Sequence, residues 1–353
     1  MSPLPWERVR ERVLRPTDPL SNSLPWGERA GLLVHQKLLS QARISVKCFQ
    51  AARLFFGCLK TRFCGVRIAH QIAKLLKKWG GRPHNLHENK NMKQIQSPQN
   101  ETLKSLAKLL DSAKERRKHR LAVLEGTHLL ETFLQQNQQP EQVFVPESRW
   151  HESETQNLLG RLPEHKITLL ATSALSKINS LTHGETLTTV FRLPENPSPA
   201  HVGDCVVLER VQDAGNLGTI LRSAAAAGVG RVILSRDCVD VWSPKVLRAA
   251  MGAHFLLQIH EDVDLLAWRK TYRGRVLITA LNAQSQSLYH LNLKENETGN
   301  AWIFGNEGAG VSPELLAQAD VCVQIPMLGA TESLNVAMAA SVCLFEQMRQ
   351  RIA

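Results

Sequence analysis

The sequence predicts an α/β protein whose C-terminal part is built on a mainly parallel sheet. Two observations carry this expectation. From His201 onward, short apolar runs alternate with helical patterns at the spacing of βα units. Three polar loops, each bearing glycine, also follow apolar runs, where an open α/β sheet presents its ligand loops. A second alternation of strands and helices, between Met92 and Leu193, predicts a smaller α/β unit in front.

Composition narrows the class. The 353 residues leave room for two or three domains, and a hydrophobic share of 43% can build a core. No apolar run reaches the ~18 residues of a membrane span. The 7 Cys show neither a CxxC pair nor a cluster with His, so no metal site and no disulfide framework is expected. A reducing, cytoplasmic setting fits them. Net charge is +11, but its placement matters more than its size. Residues 1–91 hold 17 Lys and Arg against 5 Asp and Glu, whereas residues 92–353 hold 26 against 27.

Residues 1–91 therefore read as a poorly ordered basic leader, non-native or removable, with Met92 as a functional start. An RNA-binding arm and a targeting segment are the alternatives. Leu4-Pro5-Trp6 returns as Leu24-Pro25-Trp26, a repeat too short for a solenoid. Pro83–Gln99 reads as a linker.

Residues 92–193 are expected to form the small α/β domain. Leu103, Leu106, Leu110 and Ala113 mark one amphipathic helix that ends in the basic run Lys114–Arg120. Strands follow at Leu121–Leu124, Gln142–Val145, Ile167–Leu170 and Thr186–Leu193, with helices at Thr127–Gln136, Glu152–Leu162 and Ser173–Ser180. The basic run is either a solvated helix end or a phosphate-contacting surface, with Arg116, Arg117, Lys118 and Arg120 as the candidate contacts. Residues 194–200, with three prolines, make the linker.

In residues 201–353 strands are expected at Cys205–Leu208, Arg231–Leu234, Phe255–Ile259, Val276–Ala280, Ala301–Phe304 and Val321–Ile325. Helices are expected at Leu217–Ala227, Pro244–Met251, Val263–Arg269 and from about Asn335 to Gln350. The first loop, Glu209–Arg222, carries Asn216 as helix cap, and Gly218 four residues before Arg222. That spacing sets a glycine gap beneath a guanidinium, with room for a ligand. The second loop, Ile303–Ser312, has three glycines in six residues, suited to close approach by a flat ligand, and lacks the Walker and GxGxxG patterns. The third runs from Ile325 through Pro326, Met327 and Gly329 to Ser333, Leu334 and Asn335, where the last helix begins.

Taken in order, Asn-x-Gly-x-x-x-Arg, Phe-Gly-Asn-Glu-Gly and Ile-Pro-Met…Glu-Ser-Leu-Asn-Val resemble the three motifs of the SpoU (TrmH-type) RNA 2′-O-ribose methyltransferases of the SPOUT superfamily. The likeness covers about Asp204–Arg351, and Met92–Leu193 looks like the ribosomal-protein-like RNA-binding domain many members carry. It implies a parallel sheet with a deep trefoil knot at Ala301–Phe345, a rare exception to unknotted chains. It also implies a homodimer and S-adenosylmethionine held by Gly305, Asn306, Ile325, Met327 and Leu334. Arg222 matches the catalytic arginine. Because arginine stays protonated, its first role is to position phosphate and nucleophile, with a role in proton removal left open. Glu307, Ser333 and Asn335 match the remaining polar positions, and Asn216 would fix the Arg222 loop. Ribosomal RNA is favoured over tRNA as substrate. A tRNA ribose methyltransferase and a non-catalytic RNA-binding or ribosome-assembly factor are the rival readings. The intact set of Arg222, Glu307 and Asn335 argues against the second rival.

Overall fold

The computed structural model describes residues 93–175, 185–294 and 297–352, which belong to one compact unit. The expectations for residues 1–91, and most of the helix expected at Ser173–Ser180, lie outside the described residues. No helix among the described residues is long and apolar enough to cross a membrane.

The first sheet has five strands in the order β1-β4-β3-β5-β2. They are β1 (Lys93–Ile95), β2 (Leu121–Glu125), β3 (Gln142–Pro146), β4 (Ile167–Leu170) and β5 (Thr188–Arg192). β1, β4 and β3 run parallel, while β5 is antiparallel to both β3 and β2. β1 lies inside the stretch expected to be linker. Three residues suffice to pair Ile95 with Leu170 and bury it, and so short an edge strand leaves no alternation to read.

The single helix expected after it is two: α1 (Glu101–Asp111) and α2 (Ala113–His119). Ser112 between them is extended, at φ −114° and ψ 116°, and its hydroxyl caps α2 by accepting from Glu115 N–H. Helices α3 (Thr127–Gln135), α4 (Ser153–Leu159) and α5 (Thr172–Leu175) complete the segment.

The second sheet has seven strands, all parallel, in the order β10-β12-β9-β11-β6-β7-β8. They are β6 (Cys205–Leu208), β7 (Arg231–Ser235), β8 (Gln258–Val263), β9 (Arg275–Thr279), β10 (Gln286–Ser287), β11 (Asn300–Phe304) and β12 (Val321–Gln324). Central β6 and β11 are buried along their whole length, which is why Cys205–Leu208 and Ala301–Phe304 read as unbroken apolar runs. The helices are α6 (Ala214–Ala226), α7 (Pro244–Ala250), α8 (Leu265–Thr271), α9 (Pro313–Leu316) and α10 (Val336–Ile352).

β8 starts three residues later than expected. Met251 and Gly252 both take left-handed backbone after α7, at φ 51° and 87°, and turn the chain into a 3₁₀ segment, Ala253–Leu256. Phe255 then joins an aromatic group with Phe133 and Phe191, at ring-centroid distances of 5.0 and 5.8 Å. Phe191 also meets Trp242 at 6.2 Å. Phe133 and Phe191 come from the first sheet's segment and Trp242 and Phe255 from the second, so one apolar cluster spans both.

Polar contacts reinforce that seam. Arg248 of α7 pairs with the buried carboxylate of Glu125 at 2.7 Å. Arg116, expected at the RNA surface, is 3% exposed. Its Nε and Nη2 donate to Asp240 at 2.8 and 2.5 Å, and its Nη1 to the Leu109 and Leu110 carbonyls at 2.6 and 3.1 Å. With those donors engaged below the surface, Arg116 cannot serve as a phosphate contact. The linker is pinned as well: Asn196 exchanges two hydrogen bonds with the Glu261 backbone, at 3.1 and 3.2 Å.

Candidate active site

The three loops meet at the C-terminal ends of β6, β11 and β12. Helix α6 starts at Ala214, about one turn before its first buried residue, Leu217, and its cap is Asp213, whose Oδ1 accepts from Asn216 N–H at 2.7 Å. The expectation that Asn216 caps the helix is thus corrected. Both Asp and Asn cap well, and Asp213 takes the position because the helix begins earlier. Asn216 lies in the first turn, which leaves its side chain available.

That side chain joins the loops. Asn216 Nδ2 donates to Glu307 Oε1 at 3.1 Å, and Asn216 Oδ1 accepts from Asn335 Nδ2 at 2.9 Å. Asn335 Oδ1 in turn accepts from Ala337 and Met338 N–H at 2.9 and 3.3 Å, capping α10. Glu307 also accepts from the backbone N–H of Asp213 and Gln212, at 3.1 and 3.3 Å. Partial burial pushes its pKa up. The hydrogen bonds from Asn216 and the backbone N–H groups outweigh burial and hold it below the usual carboxylate range. Glu307 is therefore ionised at neutral pH and engaged with four donors, Asn306 Nδ2 at 3.4 Å being the fourth. A carboxylate so occupied organises a site; it has little capacity to take a proton.

The second loop closes on itself. Asn306 N–H and C=O pair with Gly310 at 3.0 and 2.9 Å, and Asn306 Oδ1 accepts from Gly308 and Ala309 N–H. A Cβ on Gly305 would stand 2.2 Å from Gly310 C and 2.3 Å from Val311 N. The space beside Gly305 was expected to admit a ligand, but the loop's own backbone fills it. Gly218 is corrected likewise. A Cβ there would meet Ala249 Cβ at 2.4 Å, so the glycine lets α6 and α7 approach and leaves no ligand gap beneath Arg222.

The ligand space lies on the other side of these loops. A cavity of about 460 Å³, within the usual range for small-ligand sites, is bounded by Gly305, Asn306, Ile325, Met327 and Leu334, the five residues expected to hold a cofactor. Glu307 and Ser333 also line it. Thr279, Ala280, Leu281 and Asn282 form a further wall that the motifs did not single out. Their signal was positional, since they lie at and just after the end of β9, as the other loops follow their strands.

Among the lining residues Glu307 alone is ionisable. A mostly neutral wall with one fixed anion suits a flat, polar-edged ligand that carries positive charge. Asn216 and Asn335 stand behind this wall and brace it through Glu307. Arg222 is exposed on α6, with no ion-pair partner among the described residues. Its neighbour Ser223 ties α6 to α10 through Ser341 at 2.7 Å. Arg117, Lys118 and Arg120 are exposed at the end of α2, although Arg120 Nη2 also reaches the Pro194 carbonyl.

Known proteins match this arrangement. Residues 204–345 match the SpoU rRNA Methylase family, and residues 100–187 match the MRM3-like substrate binding domain. The 23S rRNA guanosine 2′-O-methyltransferase RlmP of Bacillus subtilis is 32% identical over 72% of this chain and 98% of its own. An uncharacterised tRNA/rRNA methyltransferase of Synechocystis is 35% identical over 73% of this chain and 94% of its own. The AdoMet-bound rRNA methyltransferase of Sinorhizobium meliloti superposes with a TM-score of 0.60 at 27% identity, over 73% of this chain and 97% of that one.

Proposed function

Because the chain belongs to the SpoU rRNA methylase family, we propose that it methylates a ribose 2′-hydroxyl of ribosomal RNA with S-adenosylmethionine as donor. The observation that carries this reading is the chain Glu307–Asn216–Asn335, which braces a cavity lined by the expected cofactor residues.

The cofactor supplies an electrophilic methyl group on a cationic sulfur. Gly305, Asn306, Ile325, Met327 and Leu334 would hold it, the apolar members against its base and the backbone groups along its edge. The ionised Glu307 gives the wall a charge that favours the sulfonium. Arg222, on the exposed side of α6, takes an RNA phosphate and so sets the ribose oxygen in line with the methyl group. Ser333 faces the same cavity and helps orient the nucleotide.

Arg117, Lys118 and Arg120 extend the RNA-binding surface onto residues 92–193, the substrate-binding segment in this reading. The strand order β12-β9-β11-β6 is consistent with the family's trefoil knot. So are the hydrogen bonds of Gln350, near the chain's end, with Leu291 and Leu293. The half-exposed Met338 and Phe345 of α10 suit a homodimer. Free cysteines Cys205, Cys238, Cys322 and Cys343 suit the reducing cytoplasm.

The test is methylation of unmodified large-subunit rRNA with labelled S-adenosylmethionine, followed by mapping of ribose methylation. One protected ribose is expected. Label on a base, or on tRNA alone, would overturn the reading.

A further inference from the structure

The first loop carries a second arginine, outside the three motifs. Arg210 follows β6 by two residues and adopts φ 56°, a left-handed conformation in which glycine would be the unstrained choice. Its backbone is fixed on both sides. The N–H donates to Ser235 Oγ at 2.9 Å, and the carbonyl accepts from Asn306 Nδ2 at 2.9 Å, which ties it to the cofactor loop.

The side chain has no such anchorage. Arg210 Nε is buried without a hydrogen-bond partner. Glu209 forms a long ion pair with Nη2 at 3.8 Å, beyond hydrogen-bond range, and accepts its hydrogen bond from Ser312 N–H at 2.7 Å. A guanidinium offers five donors in a planar fork, and among the described residues none of these meets an acceptor at hydrogen-bond distance.

We propose that Arg210 is a substrate-positioning residue that grips an RNA phosphate beside the target ribose. Three facts favour this ligand. The fork matches phosphate oxygens two at a time. Arg210 lies at the C-terminal end of the sheet, in the loop that leads into α6, the helix that carries Arg222. Arg210 is not among the residues lining the cofactor cavity, which leaves its unmet donors to a different anion. The proposal rests on the reading of the chain as an RNA methyltransferase.

The test uses the full chain with Arg210→Gly, which fits the observed φ. Binding to a fluorescein-labelled hairpin of large-subunit rRNA is followed across a salt series, and S-adenosylmethionine binding by calorimetry. Expected are a roughly tenfold loss of RNA affinity, a salt slope shallower by about one, and a melting temperature unchanged or raised. Cofactor affinity should hold, and Arg210→Lys should recover the slope. Unchanged RNA affinity and slope would overturn the proposal, as would a loss confined to the cofactor. Wild-type methylation in parallel separates these failures from a failure of the functional reading.

Discussion

Asn216 and Asn335 lie 119 residues apart and meet side chain to side chain at 2.9 Å, each already committed to a different loop. The contact transmits the position of the last helix to Glu307, and through it to the wall of the cavity.

Asn216→Asp tests that contact without changing size. It replaces the amide donor facing Glu307 with a second carboxylate, so two like charges would stand about 3 Å apart. Methylation should fall on the order of a hundredfold and S-adenosylmethionine affinity should weaken. Near-normal steady-state rates and calorimetry would show that the three-loop chain is incidental.

Glu307 gives a pH dependence of definite sign. Its pKa is held below the ordinary value, so the stability it contributes is complete above about pH 4.3 and is lost as pH falls through the depressed folded value. Glu307→Gln should therefore melt below wild type at pH 7, and the difference should shrink under acid conditions. Melting curves separated equally at both pH values would mean that the carboxylate charge plays no part.

Arg222→Ala should leave the melting temperature and cofactor affinity intact, since the side chain is exposed and does not line the cavity. Methylation should drop by about a hundredfold or more if the guanidinium sets the nucleophile. A rate within twofold of wild type would remove it from the mechanism.

Gly305→Ala should act through the loop. One methyl group would sit 2.2 Å from Gly310 C, against backbone that cannot swing aside as a side chain can. Overpacking of this kind costs roughly 1–3 kcal/mol. Both thermal stability and cofactor affinity should fall together. Loss of affinity with an unchanged melt would return Gly305 to a direct ligand contact.

The five residues expected to hold a cofactor border one cavity because each belongs to a short motif that follows a strand, where local chain direction decides what faces it. The misreadings share another cause. Gly218 and Gly305 both signalled close approach, but a sequence does not say whether ligand or chain approaches, and here α7 and Gly310 do. Arg116 sat in a basic run like its neighbours, and its partner Asp240 lies 124 residues away. Asp213 displaced Asn216 as cap because helix α6 extends one turn beyond its apolar pattern.

The cluster joining Phe133 and Phe191 to Trp242 and Phe255 bears on how such a chain can change over time. A substrate-binding segment tethered only by a linker could be exchanged for another of different specificity, like a tool on a handle. Here the exchange would expose half of an aromatic core and strand Arg248 without Glu125. A chimera that keeps either segment alone therefore inherits an unfinished interior.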